Sequence, residues 1–243
     1  MWGEEVRRLL DLENVDLAGV FEATESTAVL SVVDSHGDHG FIGRLGKGSL
    51  DGTADIDEAT VRDAAVLFTS GYALQELEMA AVVLDAFAIG PPGRWTVLDP
   101  GPAFDQVDPE IATRCLAETD VMVLTEDELD VAFDGSAAAI LQAGPRHVVV
   151  ERGSAGCVVH DVDGVVSDVA GHAVVARDTA AAGDSFAAGF TVGLRRGWPL
   201  PDCAALANAV GAAKVQKVGT GRSVPTMAEV CSVIAEFGVA AEL

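Results

Sequence analysis

The sequence predicts an α/β protein built around a mostly parallel sheet, and three observations carry that reading. The short runs Ala64–Phe68, Trp95–Leu98, Val121–Leu124 and His147–Val150 are almost continuously apolar. Stretches of helical periodicity lie between them, near 73–89, 107–118 and 126–142. Polar or small residues close each run: Thr69-Ser70-Gly71, Asp99-Pro100-Gly101, Thr125-Glu126-Asp127-Glu128 and Glu151-Arg152-Gly153. Strands buried on both faces lose the alternation of half-exposed ones, and intervening helices supply the crossovers that parallel pairing needs.

In chain order, a first helix carries Val6, Leu9 and Leu10 on one face, and Thr27–Val33 then reads as a strand. The cluster Asp34-Ser-His-Gly-Asp-His-Gly40 turns that strand back into Phe41-Ile42, giving a hairpin at about 27–45. Asp34, His36, Asp38 and His39 are read as turn residues, because they lack the spacing of a metal site. The four buried strands follow. Shorter strands near 156–160, 163–168 and 173–176, with Gly and Asp turns, predict an antiparallel edge, and helices near 183–196, 200–217 and 226–237 close the chain. With 243 residues, 49% hydrophobic, and no linker or low-complexity segment, residues 1–243 read as one domain.

Charge narrows the partners. Asp and Glu number 38 against 15 Lys and Arg, for a net charge of −23, so a nucleic acid or an anionic membrane surface would be repelled. Lys47, Lys214 and Lys217 are the only lysines, a bias that suits a high-salt cytoplasm or a GC-rich genome. Cys115, Cys157, Cys203 and Cys231 show no C-x-x-C spacing, which fits a reducing cytoplasm. No apolar run approaches the ~20 residues of a membrane span. Gly43-Arg-Leu-Gly-Lys47-Gly48 misses the spacing of a Walker loop, and no G-x-G-x-x-G points to a dinucleotide.

The stretch Asp178-Thr-Ala-Ala-Ala-Gly-Asp-Ser-Phe186 carries the chemistry. Small residues at 180–183 let backbone N–H groups approach an anion, and the helix that follows adds unpaired donors and the positive end of its dipole. Asp184 stands at that junction, where phosphoryl transfer to an alcohol wants a base. Ligands in open α/β sheets collect at the carboxyl ends of the strands. The same rim should therefore receive the 178–186 loop and place Asp184 opposite the acids at 126–128.

Asp178-Thr179-x-Ala181-Ala182-Gly183-Asp184-x-Phe186 resembles the D-T-x-(G/A)-A-G-D-x-F signature of the ribokinase-like (PfkB) carbohydrate kinases, and Ala181 is common in the ribokinase branch. Gly219-Thr-Gly-Arg-Ser223-Val224-Pro225, with Glu229, is similar to the tail of ribokinases. The resemblance implies a three-layer sandwich that transfers the γ-phosphoryl of ATP to a hydroxyl of a small-molecule sugar. Asp184 is then the catalytic base, and the amides of Ala181, Ala182 and Gly183 form the anion hole. Gly153-Ser154-Ala155-Gly156 matches the G-x-x-G turn lining the nucleotide site. Thr125 and Glu151 belong to that site too, and the helix bearing Asn208 lies against adenine. Glu128 matches a glutamate that helps hold Mg²⁺ through water, although Thr125 stands where the family has asparagine. A monovalent cation, K⁺, is implied at Asp178, Ser223 and the backbone oxygens near Ala180, Lys214, Lys217 and Gly219.

The amino-terminal side departs from the family. Met1–Leu10 resembles the helix that follows the family's first sheet strand, its lid strands and a Gly-Gly motif with an asparagine. The expectation is therefore a sandwich lacking its N-terminal strand or strands, with a partial β lid. Gly71 stands where ribokinases present a glutamate to ribose. Family lids often pair between subunits, which makes a homodimer an expectation. The functional expectation is an ATP-dependent sugar kinase. The alternative is a catalytically impaired relative acting as a nucleotide-binding or interaction protein.

Overall fold

The computed structural model of the chain describes residues 2–17, 28–33, 39–44 and 57–237. Helix α1 spans Trp2–Leu12, and strands β1 (Ala28–Val33) and β2 (His39–Arg44) pair antiparallel in a two-stranded sheet, Ala28 opposite Arg44. The predicted turn between them, with Asp34, His36 and Asp38, lies outside the described residues. A short helix α2 (Glu58–Asp63), capped by the Asp57 carboxylate on the Ala59 amide, leads into the main sheet. That sheet has six strands in the order β3 (Val66–Ser70), β4 (Trp95–Asp99), β5 (Val121–Thr125), β6 (His147–Glu151), β7 (Gly156–Asp161) and β8 (Val166–Ala170). The first four are parallel, and β7 and β8 add an antiparallel edge.

Successive residues of the central strands point to opposite faces, and each face has its own core. Leu98, Met122, Leu124, Val148 and Val150 pack with helices α3 (Leu77–Ala88), α4 (Pro109–Ala117), α5 (Glu126–Phe133) and α6 (Ala137–Ala143). Val97, Val121, Val123 and Val149 pack on the other side with α7 (Ala182–Arg195) and α8 (Leu200–Val215). The expected three-layer sandwich follows from this split. The last helix, α9 (Met227–Phe237), covers α8 through Val230 and Val233. Phe190 is fully buried, and such a side chain contributes about 3 kcal/mol by leaving water. A Cβ at Gly193 would stand 2.8 Å from Cys203 Sγ, so glycine lets α7 and α8 close on each other.

Three sequence expectations are corrected. The 126–142 helix is two helices, because Asp134 (φ 50°) and Gly135 (φ 71°) take left-handed conformations after α5, and Ser136 caps α6 through the Ala139 amide. The strand expected at 163–168 lies at Val166–Ala170. Residues 173–176 form no strand; Val174 instead packs into the α8–α9 core, and its amide donates to the carbonyl of His172. Strand β3 is an edge of the six-stranded sheet among the described residues, which is why Phe68 is exposed where the other parallel strands are covered. No helix of the described residues is long and apolar enough to cross a membrane.

Candidate active site

The carboxyl ends of β4, β5 and β6 and the N-terminus of α7 meet at one rim. Residue Ala181 precedes α7 in a left-handed conformation (φ 60°, ψ 22°), with no side chain capping the helix. The first i→i−4 bond runs from the Ser185 amide to the Ala181 carbonyl, 3.1 Å. The Ala182 amide is spent on the Thr179 carbonyl, also 3.1 Å, which corrects its expected place in the anion hole. A tight turn before a helix satisfies one of the usual orphan donors in this way. The amides of Ala181, Gly183 and Asp184 have no acceptor among the described residues. Asp184 lies in the first turn of α7 and is exposed.

A cavity of about 600 Å³ opens beside this helix end. It brings together Thr125, Glu151, Gly153, Ser154, Gly156, Ala182, Gly183 and Asn208, and leaves Ala155, Ala181, Glu128 and Asp184 outside its lining. Small residues of α8, Gly211 and Ala212, form one wall, and Phe186 contributes to it. Asn208 is already engaged: its amide donates to the carbonyls of Val169 (3.3 Å) and Ala170 (3.2 Å), tying α8 to the end of β8. This side chain therefore shapes the cavity wall.

Beyond Gly183 the surroundings turn acidic. A Cβ on Gly183 would lie 3.8 and 3.9 Å from the two carboxylate oxygens of Glu151. Burial, followed by the charges of Asp99, Glu128 and Asp184, pushes Glu151 up to about 8. Burial and then Glu128 push Asp99 up to about 6, against the opposing hydrogen bond from the Gly101 amide, and Asp184 adds to the rise. Tyr72 is shifted upward by burial and by Glu128, Asp99 and Asp184. The charge of Asp184 is thus felt by Asp99, Glu151 and Tyr72, of which Glu151 also lines the cavity. Spacing along the sequence gives Asp99 only a place on the rim and Tyr72 none; the available signal was their position at the end of β4 and just past the end of β3. The Cβ of any larger residue at Gly71 would meet the Pro100 carbonyl at 1.9 Å, so β3 and β4 close too tightly there for the glutamate of ribokinases.

Glu128 completes a capping box on α5, its Oε2 accepting from the Thr125 amide (2.9 Å) while the Glu128 amide donates to Thr125 Oγ1 (3.2 Å). Thr125 does the capping work that asparagine would do. The raised Asp99 and Glu151 are the donor chemistry a divalent cation would relieve, so the rim fits one electrostatically. Among the described residues no three His, Cys, Asp or Glu side chains are grouped to hold a metal ion by themselves. A cation here would depend on phosphate oxygens and water for its other ligands.

The two loops that flank this helix end are joined by Asp178. Its Oδ1 accepts from the Ala180 amide (2.9 Å), and its Oδ2 from the Gly219 amide (2.7 Å). Nearby, the Lys214 carbonyl accepts the Lys217 amide (2.9 Å), and the Lys217 carbonyl accepts the Lys214 ammonium (3.3 Å). Ser223 Oγ lies 3.3 Å from the Cβ position of Gly219. Lys217 Nζ turns outward to Glu229 Oε2, 2.9 Å.

The pfkB family carbohydrate kinase pattern matches residues 1–227. The chain belongs to that family. An ATP-dependent ribose-1-phosphate kinase of Halopiger xanaduensis is 31% identical over 237 residues, which span 96% of this chain and 77% of the relative. Among solved structures, a fructokinase from Vibrio cholerae O395 with bound fructose, ADP and calcium ion is 21% identical and superposes with a TM-score of 0.81, covering 95% of this chain and 81% of that one. A double mutant of that fructokinase, with fructose, ADP and potassium ion bound, gives 0.79 at 21% identity over 95% and 80%. These structures share the fold. As a pfkB member the chain is a ribokinase-like carbohydrate kinase, and the reading as a non-catalytic remnant is not favoured.

Proposed function

We propose that this carbohydrate kinase transfers the γ-phosphoryl of ATP to a hydroxyl of a ribose-type sugar, with Asp184 as the base. The observation that carries the proposal is the mouth of α7. An exposed carboxylate there adjoins the uncommitted amides of Gly183 and its own residue, at the boundary between the cavity and the acidic rim. The cavity side takes the nucleotide, with its adenosine against Gly211 and Ala212 and its phosphates toward Gly183. The rim side, with Asp99, Tyr72 and Asp184, takes the acceptor.

Phosphoryl transfer passes through a loose transition state, so the protein contributes mainly positioning and charge stabilisation. Asp184 accepts the hydroxyl proton as the new bond forms. The amides of Ala181, Gly183 and Asp184 stabilise charge on the transferring and leaving oxygens, each donor contributing about 3 kcal/mol by analogy with other anion holes. Glu128 and Glu151, with Asp99, would hold Mg²⁺ partly through water, and Mg²⁺ supplies neutralisation of the phosphates when bound. Glu151 lies under Gly183, so its protonation sets how much negative charge the phosphates meet. Strands β1 and β2 serve as a lid on the acceptor side in this reading, within a single kinase domain, and a lid that pairs between copies would make a homodimer.

The test is ADP formation by the purified chain with ATP and Mg²⁺ over ribose, ribose 1-phosphate, fructose and a nucleoside. Ribose 1-phosphate comes first, because the Halopiger relative bears that name. ADP formation that depends on one of these acceptors and vanishes with a chelator supports the proposal. ADP formation indifferent to every acceptor contradicts it.

A further inference from the structure

Lys214 is one of only three lysines in the chain, yet its side chain is entirely inaccessible to solvent. It sits in the last turn of α8, where a cation complements the negative end of the helix dipole. Its ammonium donates to the carbonyl of Lys217, one of the backbone oxygens that the resemblance implies for a monovalent cation. Two of the other implied groups are also engaged: both oxygens of Asp178 accept loop amides, and the Lys214 carbonyl accepts the Lys217 amide. A metal ion touching the Lys217 carbonyl would lie within about 6 Å of the ammonium, and repulsion at that distance weakens binding on the order of a hundredfold. The residues present do not fit a bound K⁺.

We infer that the Lys214 ammonium takes the place of the monovalent cation, so that this kinase carries its activating charge on its own chain. The turn 214–219 receives a positive charge where Asp178 links it to the loop leading into α7. The loop that frames the anion hole is then held in one conformation without any ion from solution. A lysine that only capped α8 would also be buried, but its loss would not be repaired by a small cation.

The inference rests on the kinase reading for its activity readout, and a second readout is independent of turnover. Activity and melting temperature are measured at fixed ionic strength in potassium, ammonium and tetramethylammonium chloride, for the natural chain and for Lys214→Met, which keeps the stem and removes the charge. The natural chain is expected to hold its kcat within about twofold in all three salts and its melting temperature unchanged. Lys214→Met is expected to lose at least about tenfold in tetramethylammonium, to recover within about threefold in potassium or ammonium, and to melt higher in those salts. A natural chain stimulated about fivefold or more by potassium overturns the inference, as does a folded variant whose losses no cation repairs. If the variant does not fold, the salt response of the natural chain decides alone. A chain that turns over no sugar in any salt counts against the kinase reading, while its melting temperatures still decide this one.

Discussion

The mouth of α7 and the strand-end rim lie side by side with opposite electrical character. The mouth offers N–H donors and a helix dipole, and its carboxylate is exposed. The rim holds Asp99, Glu128 and Glu151 within electrostatic reach of one another, and burial lifts Asp99 and Glu151 well above the ordinary carboxylate range. A triphosphate is attracted by one half and repelled by the other. Under the proposed function the difference accounts for a divalent cation: the donors would hold the phosphates, and the rim would accept them only when its charge is neutralised or protonated. On the proposed function it also separates roles, with binding set at the boundary residue Gly183 and proton transfer at Asp184.

The largest effect expected from perturbing this contrast is on the rim. Glu151 in the folded protein titrates at about 8, above its ordinary 4.5, so the folded state keeps a proton that the unfolded chain has released. Stability without ligand should therefore fall as pH rises between those values and level off above about 8. Glu151→Gln removes that loss and should stabilise the unliganded protein by roughly 2–4 kcal/mol above pH 8, with little effect near pH 4.5. Denaturant unfolding at both pH values checks this, and equal stability of the two proteins at pH 9 would break the contrast between rim and mouth.

A smaller effect is expected at the boundary. An added methyl at Gly183 meets only the Glu151 oxygens, at ordinary contact distance, and alanine favours a helix. Gly183→Ala should thus fold with stability equal or raised by up to about 1 kcal/mol. It should weaken nucleotide binding and turnover together by on the order of tenfold, because the methyl occupies the approach to the amides. Calorimetric titration with ATP beside steady-state kinetics would separate this from a general loss of structure.

The smallest effect belongs to Ala181. Its left-handed conformation costs an alanine about 1–2 kcal/mol, and glycine escapes that cost while losing some of the gain to unfolded-state entropy. Ala181→Gly should stabilise by roughly 0.5–1 kcal/mol with turnover little changed. A destabilised variant would show that the turn into α7 is held by something other than backbone preference.

Much of this was legible in the sequence, for identifiable reasons. The strands at 95–99, 121–125 and 147–151 announced themselves because both faces are buried, which leaves no polar alternation to confuse them. The mouth of α7 was legible because small residues and an acid at a helix start have few other uses. The break at Asp134-Gly135 was hidden by the continuous helical periodicity on either side. Residues 173–176 mimic a strand because Val174 must reach a helical core, which needs one apolar side chain and no ladder. Asp99 and Glu151 gained their shifts first from burial and then from charges on other strands and helices, a property that no local spacing contains. Lys214 was read only for its carbonyl, since a lysine is ordinarily the least buried of residues.

The account is tested most directly by single-turnover transfer from ATP to the acceptor in Asp184→Asn, with the nucleotide dissociation constant measured on the same preparation. The prediction is nucleotide affinity within several-fold of the natural chain and a transfer rate lower by about 10²–10⁴. Transfer at the natural rate would contradict the assignment of Asp184 as the base.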